Sequence, residues 1–393
     1  MVRRAASRLG LIGTSATLAI KMEADRLRRS GRDVIDFGPG EPDLETPSAA
    51  KRAAIAAIED NRTHYTSAAG IAELRTALAE RYTLESGREV SPDEVMVGSG
   101  GKPLLFATMM SLVNPGDDVL IVSPYWVSFP EQVRLAGGRP IFAEMSSEGG
   151  FSICAARIKE ALTPATRMII VNSPANPTGG ILPAAEAEAL VDLVVEHDLW
   201  LISDETYESF VYDPADVASL LAHRDRLADR LVMVSAFSKT WAMTGWRVGY
   251  AIASAEVIRW LLKIQSHDTT QAASISQYAA LGALENYDQD YLDSALDEYR
   301  ERRRMICEGL NAIDGVSCAL PRGAFYAFPD VRALLDRLGL QTSQDLARTL
   351  ISEIFVATVP GEAFGAPGYL RFSYATSRSR IEEGLDRLHR LAS

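Results

Sequence analysis

Along the middle of the chain, short apolar runs bounded by Gly, Pro or Asp alternate with longer stretches in which apolar positions recur at helical spacing. The short runs are EVMVGS (94–99), DVLIVS (118–123), RPIFAEM (139–145), RMIIVNSP (167–174), LWLISDE (199–205), RLVMVSAF (230–237) and RVGYAIA (247–253). They predict strands, and PLLFATMMSLV (103–113), PEQVRLAGG (130–138) and PAAEAEALVDLVVEHD (183–198) predict helices between them. Alternation of this kind predicts an α/β body: a mostly parallel seven-stranded sheet sandwiched by helices.

The two ends of the chain read differently. TSATLAIKMEADRLRRSG (14–31) has the pattern of an amphipathic helix, and YLDSALDEYRERRRMICEGLNAI (291–313) that of a long charged one. After it, VSCAL (316–320), AFYAFPD (324–330) and YLRFSYAT (369–376) predict strands of a smaller α+β domain built from both chain ends. The expected division is an N-terminal arm with part of the small domain at 1–45, a large domain at 46–290 and the rest of the small domain at 291–393. No internal repeat or low-complexity segment interrupts this plan.

Composition narrows the function classes. The 393 residues suffice for two such domains, and 47% hydrophobic with 23% charged residues is ordinary for a globular protein. A formal net charge of -12 argues against nucleic acid or an anionic membrane surface as the partner. The three cysteines, Cys154, Cys307 and Cys318, are widely spaced and form no CxxC pair, which excludes a cysteine zinc site and a disulfide framework and fits a reducing cytoplasm. His64, His197, His223, His267 and His389 do not fall at ligand spacing, so no metal is expected. No apolar run has the length of a membrane span, and the basic start MVRRAASRLGLIG does not read as a cleavable signal.

In open α/β sheets ligands sit beyond the carboxyl ends of the strands, and here four of those ends carry polar residues. The first is Gly98-Ser99-Gly100-Gly101-Lys102-Pro103, a glycine turn opening a helix, where backbone N–H groups can cradle an anion. Its spacing is neither GxxxxGK[ST] nor GxGxxG, which removes the nucleotide readings. The second runs from Asn172 to Gly179 with Asn176 in it, and by itself is an ordinary turn composition. The third presents Asp204, Glu205 and Tyr207; a carboxylate ending so apolar a strand needs a cationic partner if buried. The fourth is SAFSKTWAMTGWRVGY (235–250), in which Lys239 has only small and apolar neighbours and Arg247 is the one other charge. A lysine held among apolar groups loses stability in its charged form and becomes a nucleophilic amine. Each feature alone has a structural explanation; together they aim an anion cup, an amide, a carboxylate, a phenol and a lysine at one crevice.

These residues, in this order, resemble the fold-type I, class I pyridoxal-phosphate aminotransferases, in particular the bacterial aspartate-aminotransferase-like subgroup. The resemblance runs through SATLAI, GPGEPDLETP, HYTSAAG, GSGGK, SPYWVSFPE, NSPANPTGG, SDETYE, SKTWAMTGWRVGY and RFSYATS, nearly the whole chain. It implies pyridoxal 5'-phosphate as cofactor, an amino acid and a 2-oxo acid as substrates, and a homodimer with shared active sites. By position, Lys239 would carry the cofactor as a Schiff base and shuttle the proton, and Asp204 would pair with the ring nitrogen. Tyr207 and Asn176 would bond the ring oxygen. Gly100, Gly101, Lys102, Ser238 and Arg247 would hold the phosphate, and Trp126 would stack on the ring. Arg371 would clamp the substrate α-carboxylate with help from the backbone at Gly38 and from Asn176, and Tyr65 would reach the phosphate in the other subunit. Lys102 is also placed to meet a distal carboxylate, so an aspartate- or glutamate-like donor is expected.

Three positions depart from the pattern: Ala236 where Gly or Ser is usual, Gln271-Ala272 where a partner-subunit loop commonly has Ser or Asn then Pro, and Gly13-Thr14 where Lys-Pro or a similar pair is usual. The last two regions fall where the substrate side chain is expected, with His267 near the same loop, while Glu41 reads as a structural residue of the loop after Gly38. The alternative reading is another reaction on the same cofactor: elimination or replacement, oxidation or cyclisation of an amino acid. A transcription regulator with an aminotransferase-like sensor domain would carry a basic helix-turn-helix ahead of SATLAI, and no such segment is expected here.

Overall fold

The computed structural model describes residues 5–14, 16–213, 217–286 and 289–392. All seven runs form strands of one sheet: β1 (Val95–Gly98), β2 (Asp118–Ser123), β3 (Arg139–Glu144), β4 (Thr166–Asn172), β5 (Trp200–Asp204), β6 (Leu231–Ala236) and β7 (Gly249–Ile252). Their order in space is β1-β7-β6-β5-β4-β2-β3, parallel throughout except for β7, which runs antiparallel to both neighbours. The central strands are buried from Met168, Leu201 and Leu231 to their carboxyl ends, as a parallel sheet covered by helices requires. Helices Gly101–Leu112, Ala184–Glu196 and Ala255–His267 pack on its faces through Leu104, Leu105, Leu190, Val191, Val257 and Leu261.

Register brings the polar strand ends level with one another. Asn172 pairs with Asp204 across β4 and β5, Asp204 with Val234 across β5 and β6, and Gly249 lies opposite both Ala236 and Gly98. A second, smaller core gathers Ile35, Phe37, Tyr299, Phe325, Tyr326, Phe372 and Leu388 from both ends of the chain. There Ile35–Asp36 pairs in parallel with Val356–Ala357, and Leu370–Ser373 lies between Val359–Pro360 and Tyr326–Ala327. The predicted helices at the ends are Ala16–Arg29 and Gln289–Asn311.

VSCAL is not a strand. Ser317 exchanges two hydrogen bonds with Asp330, but the ladder stops at Cys318, whose N–H and C=O are both taken by the Asn311 side chain (2.8 and 2.9 Å). A side chain from the preceding helix has claimed the groups a neighbouring strand would need. Among the described residues no helix is long and apolar enough to cross a membrane.

Candidate active site

The strand ends open into a cavity of about 380 Å³ whose far wall comes from the smaller core. Asn176, Asp204, Tyr207, Ser238, Lys239 and Arg247 line it from the large sheet, and Gly38 and Arg371 from the other side. Gly101, Lys102 and Trp126 close one flank. Gly100 lies just behind this lining, and Tyr65 does not reach the cavity at all: its side chain is 88% exposed on the surface. A larger cavity of about 640 Å³, lined by Gly13, Thr14 and Glu131, adjoins it at Lys102 and Val127, which border both. The chemistry belongs to the smaller one, because only that one holds an amine and a buried carboxylate together.

Lys239 sits in the first turn after β6, in the short helix Phe237–Thr240, rather than at the strand end itself. Its Nζ donates to the Gly40 carbonyl and stands 5.8 Å from the Tyr207 ring centroid. Burial brings the amine down to about 8; Arg371 and Arg247 push the same way, while Glu41 and Asp204 pull it back up. Asp204 is buried, and both of its bonds, from the Thr206 N–H (3.1 Å) and hydroxyl (2.6 Å), fall on Oδ1. Burial raises its carboxyl, against the pull of those two bonds and the Lys239 charge. Asn172 locks the turn before it, donating to the Asp204 carbonyl (2.9 Å) and accepting the Asn176 N–H (2.9 Å).

Arg371 is 2% exposed, with Nη1 on Asn176 Oδ1 (2.9 Å) and Nη2 on the Gly38 carbonyl. Its guanidinium lies 4.6 Å from the Tyr326 ring centroid and 5.1 Å from that of Phe364, and its Nε is buried without a partner. Burial lowers its affinity for the proton, and among the described residues no carboxylate stands at ion-pair distance. A planar cation fixed this way, with a donor to spare, is a receptor for a carboxylate.

The glycine turn is shaped by close approach. Gly100 has φ +104°, and a Cβ there would meet Arg247 Nη2 at 2.6 Å; a Cβ on Gly249 would meet the Gly101 nitrogen at the same 2.6 Å. Glycine at both positions lets β7, Arg247 and the N-terminus of helix Gly101–Leu112 converge. Arg247 is held by the Thr244 carbonyl (2.8 Å), and Thr244 in turn donates to Glu41, which gives Glu41 the structural part expected of it. Lys102 Nζ rests 4.7 Å from the Trp126 ring centroid, its amine lowered by burial and then by the Arg247 charge.

Gln271, one of the departures, accepts from the Thr66 N–H and hydroxyl and so fastens the loop that bears Tyr65. His267 ends its helix exposed and outside the cavity. The sequence reading missed Tyr326, whose phenol lies 2.6 Å from that of Tyr207 and whose ring carries Arg371. Its one sequence signal was a phenol set among the apolar residues of AFYAF.

A buried amine, a buried carboxylate and a carboxylate receptor beyond the carboxyl ends of a doubly covered sheet define an enzyme of amino-acid chemistry. Comparison with known proteins makes the class specific. Residues 32–388 match the family model for aminotransferases of class I and II, and the chain belongs to that family. It is 38% identical to the aspartate aminotransferase of Bacillus subtilis (strain 168) over 98% of each chain. With that of Streptomyces avermitilis it shares 40% identity over all of this chain and 97% of the other. The aspartate aminotransferase of Thermus thermophilus, solved with maleate, superimposes with a TM-score of 0.93 at 40% identity, covering 99% of this chain and all of that one. The protein is a transaminase, moving an amino group between an amino acid and a 2-oxo acid, which favours transfer over the elimination, oxidation and cyclisation alternatives.

Proposed function

We propose that this transaminase uses pyridoxal 5'-phosphate held in the 380 Å³ cavity and takes an acidic amino acid as donor. The residues present fit the group. The Gly100–Gly101 turn and Arg247 suit a phosphate, the raised Asp204 carboxyl suits a protonated ring nitrogen, and Lys239 is an amine with proton affinity near neutrality. The observation that carries the reading is this convergence of Lys239, Asp204 and Arg371 in one cavity.

When bound, the cofactor supplies an aldehyde that accepts the amino group and a protonated ring that draws electrons from the substrate's Cα–H bond. Asp204 holds the proton on the ring nitrogen, which repays the cost of burying its charge. Arg371 would bind the α-carboxylate, with Asn176 and the Gly38 carbonyl fixing its plane, and Lys102 would meet a distal carboxylate. Lys239 would hold the cofactor and, with its amine brought down to about 8, would be able both to take the substrate's Cα proton and to give one up near neutral pH. Tyr207 and Asn176 would bond the ring oxygen, Trp126 would cover the ring, and Ser238 would join the phosphate cup.

The same proposal assigns 46–290 to the cofactor-binding body and 1–45 with 291–393 to the part that brings Gly38 and Arg371. It also makes the active unit a homodimer, with Tyr65 completing the other subunit's phosphate site. Support comes from the exposure of Tyr65 (88%) and of Ile55 and Ile58 (55% and 52%) on helix Ser48–Glu59, an apolar face fit for a second copy. The compartment we assign is the cytoplasm, on the three free thiols.

The test is a half-reaction. Protein loaded with pyridoxal 5'-phosphate should lose its long-wavelength absorbance on addition of L-aspartate or L-glutamate and recover it with 2-oxoglutarate. Loss with neither acid but with another amino acid would remove the acidic-donor reading, and no absorbance on loading would remove the cofactor.

A further inference from the structure

We propose that Tyr326 is a positioning residue for the cofactor's ring oxygen: its phenol donates to the Tyr207 oxygen, turning the Tyr207 proton into the cavity and making Tyr207 a stronger donor. The inference rests on the reading above and adds a residue to it.

Two phenols 2.6 Å apart share one hydrogen bond and have two protons, so one proton must point elsewhere. What surrounds each phenol decides which. The Tyr326 oxygen lies against the Gly40 backbone, where an added Cβ would meet it at 2.4 Å, and its ring faces the Arg371 guanidinium at 4.6 Å. An α-carbon and a guanidinium offer no acceptor. The Gly40 carbonyl accepts from Lys239, and the Tyr326 hydroxyl makes no hydrogen bond to it; its bond is to Tyr207. A Tyr326 proton pointing away from Tyr207 would therefore be buried without a partner, which is the costlier arrangement. Both residues line the cavity, but Tyr326 is wholly buried while Tyr207 keeps 5% of its surface exposed, so with Tyr326 as donor the Tyr207 proton is the one that faces the cavity, and a phenol that accepts one hydrogen bond gives a stronger one.

Tyr326 is held for this part. Its strand pairs Tyr326 with Ser373, two residues from Arg371, and its ring meets that of Tyr207 edge-on at 5.7 Å and 74°. It thus joins the strand that bears the carboxylate receptor to the turn that bears Tyr207. Gly40 is the residue that leaves room for it.

The experiment is a pH titration of the bound cofactor's absorbance in four proteins: unmodified, Tyr326→Phe, Tyr207→Phe and the double variant. Phenylalanine keeps the ring under Arg371, and far-UV circular dichroism with a thermal midpoint verifies the fold. In Tyr326→Phe the absorbance midpoint should move up by about half a pH unit, roughly threefold in proton affinity, because weaker donation leaves the ring oxygen more basic. In the Tyr207→Phe background the same change should move it no further, since the effect passes through Tyr207. Equal shifts in both backgrounds, or none in the unmodified background, would overturn the inference while leaving the cofactor reading intact. Absence of any cofactor absorbance in the unmodified protein would overturn the reading itself and the inference with it.

Discussion

Asp204, buried, and Glu208, half-buried, are four residues apart and belong to opposite kinds of polar cluster. Glu208 is closed on every side. Its Oε2 accepts from Tyr82 (2.6 Å), its Oε1 from Arg81 (3.2 Å), and the single Tyr250 proton goes either to the Tyr82 oxygen at 2.7 Å or to Oε1 at 3.4 Å. The Arg81 charge offsets the burial that raises the Glu208 carboxyl. Around Asp204 the valences stay open: both bonds sit on one oxygen, Lys239 has only a backbone carbonyl, and Arg371 keeps a buried Nε with no partner. A cluster in which carboxylate and guanidinium meet within the fold fixes helix Ala72–Ser86 to the sheet; one whose guanidinium meets no carboxylate among the described residues forfeits stability to keep a site for a ligand.

That contrast can be broken from either side. The largest effect is expected from Lys239→Ala, which should lower transamination by at least about a thousandfold without lowering the thermal midpoint of the cofactor-free protein. A clear loss of that midpoint would mean that the amine holds the fold together. Glu208→Ala should do the reverse, costing about 1–3 kcal/mol in urea unfolding by taking away the acceptor of the Tyr82 phenol and one of the two carboxylates that meet Arg81, with turnover per folded molecule almost unchanged.

The pH dependence separates the clusters further. The Lys239 amine lies near 8 in the fold, below its ordinary value in the unfolded chain, so from about pH 8 upward the unfolded chain binds the extra proton. Stability attributable to Lys239 therefore rises with pH through that window. The unfolding free energy of the cofactor-free protein minus that of Lys239→Met should grow by about 2–3 kcal/mol between neutral pH and the unfolded amine's value. A flat difference would show the amine to be solvated. Arg371→Lys, the smallest change, should raise KM for the donor about 10–100-fold by losing the planar fork, with cofactor affinity unaltered; steady-state kinetics beside a cofactor titration would read both.

The open cluster was far more legible in the sequence than the closed one. Each of its large-domain residues ends or follows a short apolar run, so local pattern places Gly100, Asn176, Asp204 and Lys239 at or just beyond strand ends, and register does the rest. Tyr82 and Glu208 are 126 positions apart on segments whose pattern carries no sign of the other. Tyr326 escaped for a related reason: it lies in a two-residue strand, too short for alternation to say which face meets the cavity. VSCAL misled because β-branched and apolar residues register strand propensity, while the Asn311 amide that ends the ladder is competition from outside the run. The Gln271 departure could be seen in sequence, but its bond to Thr66 spans 205 positions and needed the fold.

The central claim is that Lys239 is the open valence awaiting the cofactor. The direct measurement is to load the protein with pyridoxal 5'-phosphate, reduce with borohydride, digest, and map the pyridoxyl adduct by mass spectrometry. A single adduct on Lys239, absent from Lys239→Ala, is the predicted result. An adduct spread over surface lysines, or none on the Lys239 peptide, would contradict the account.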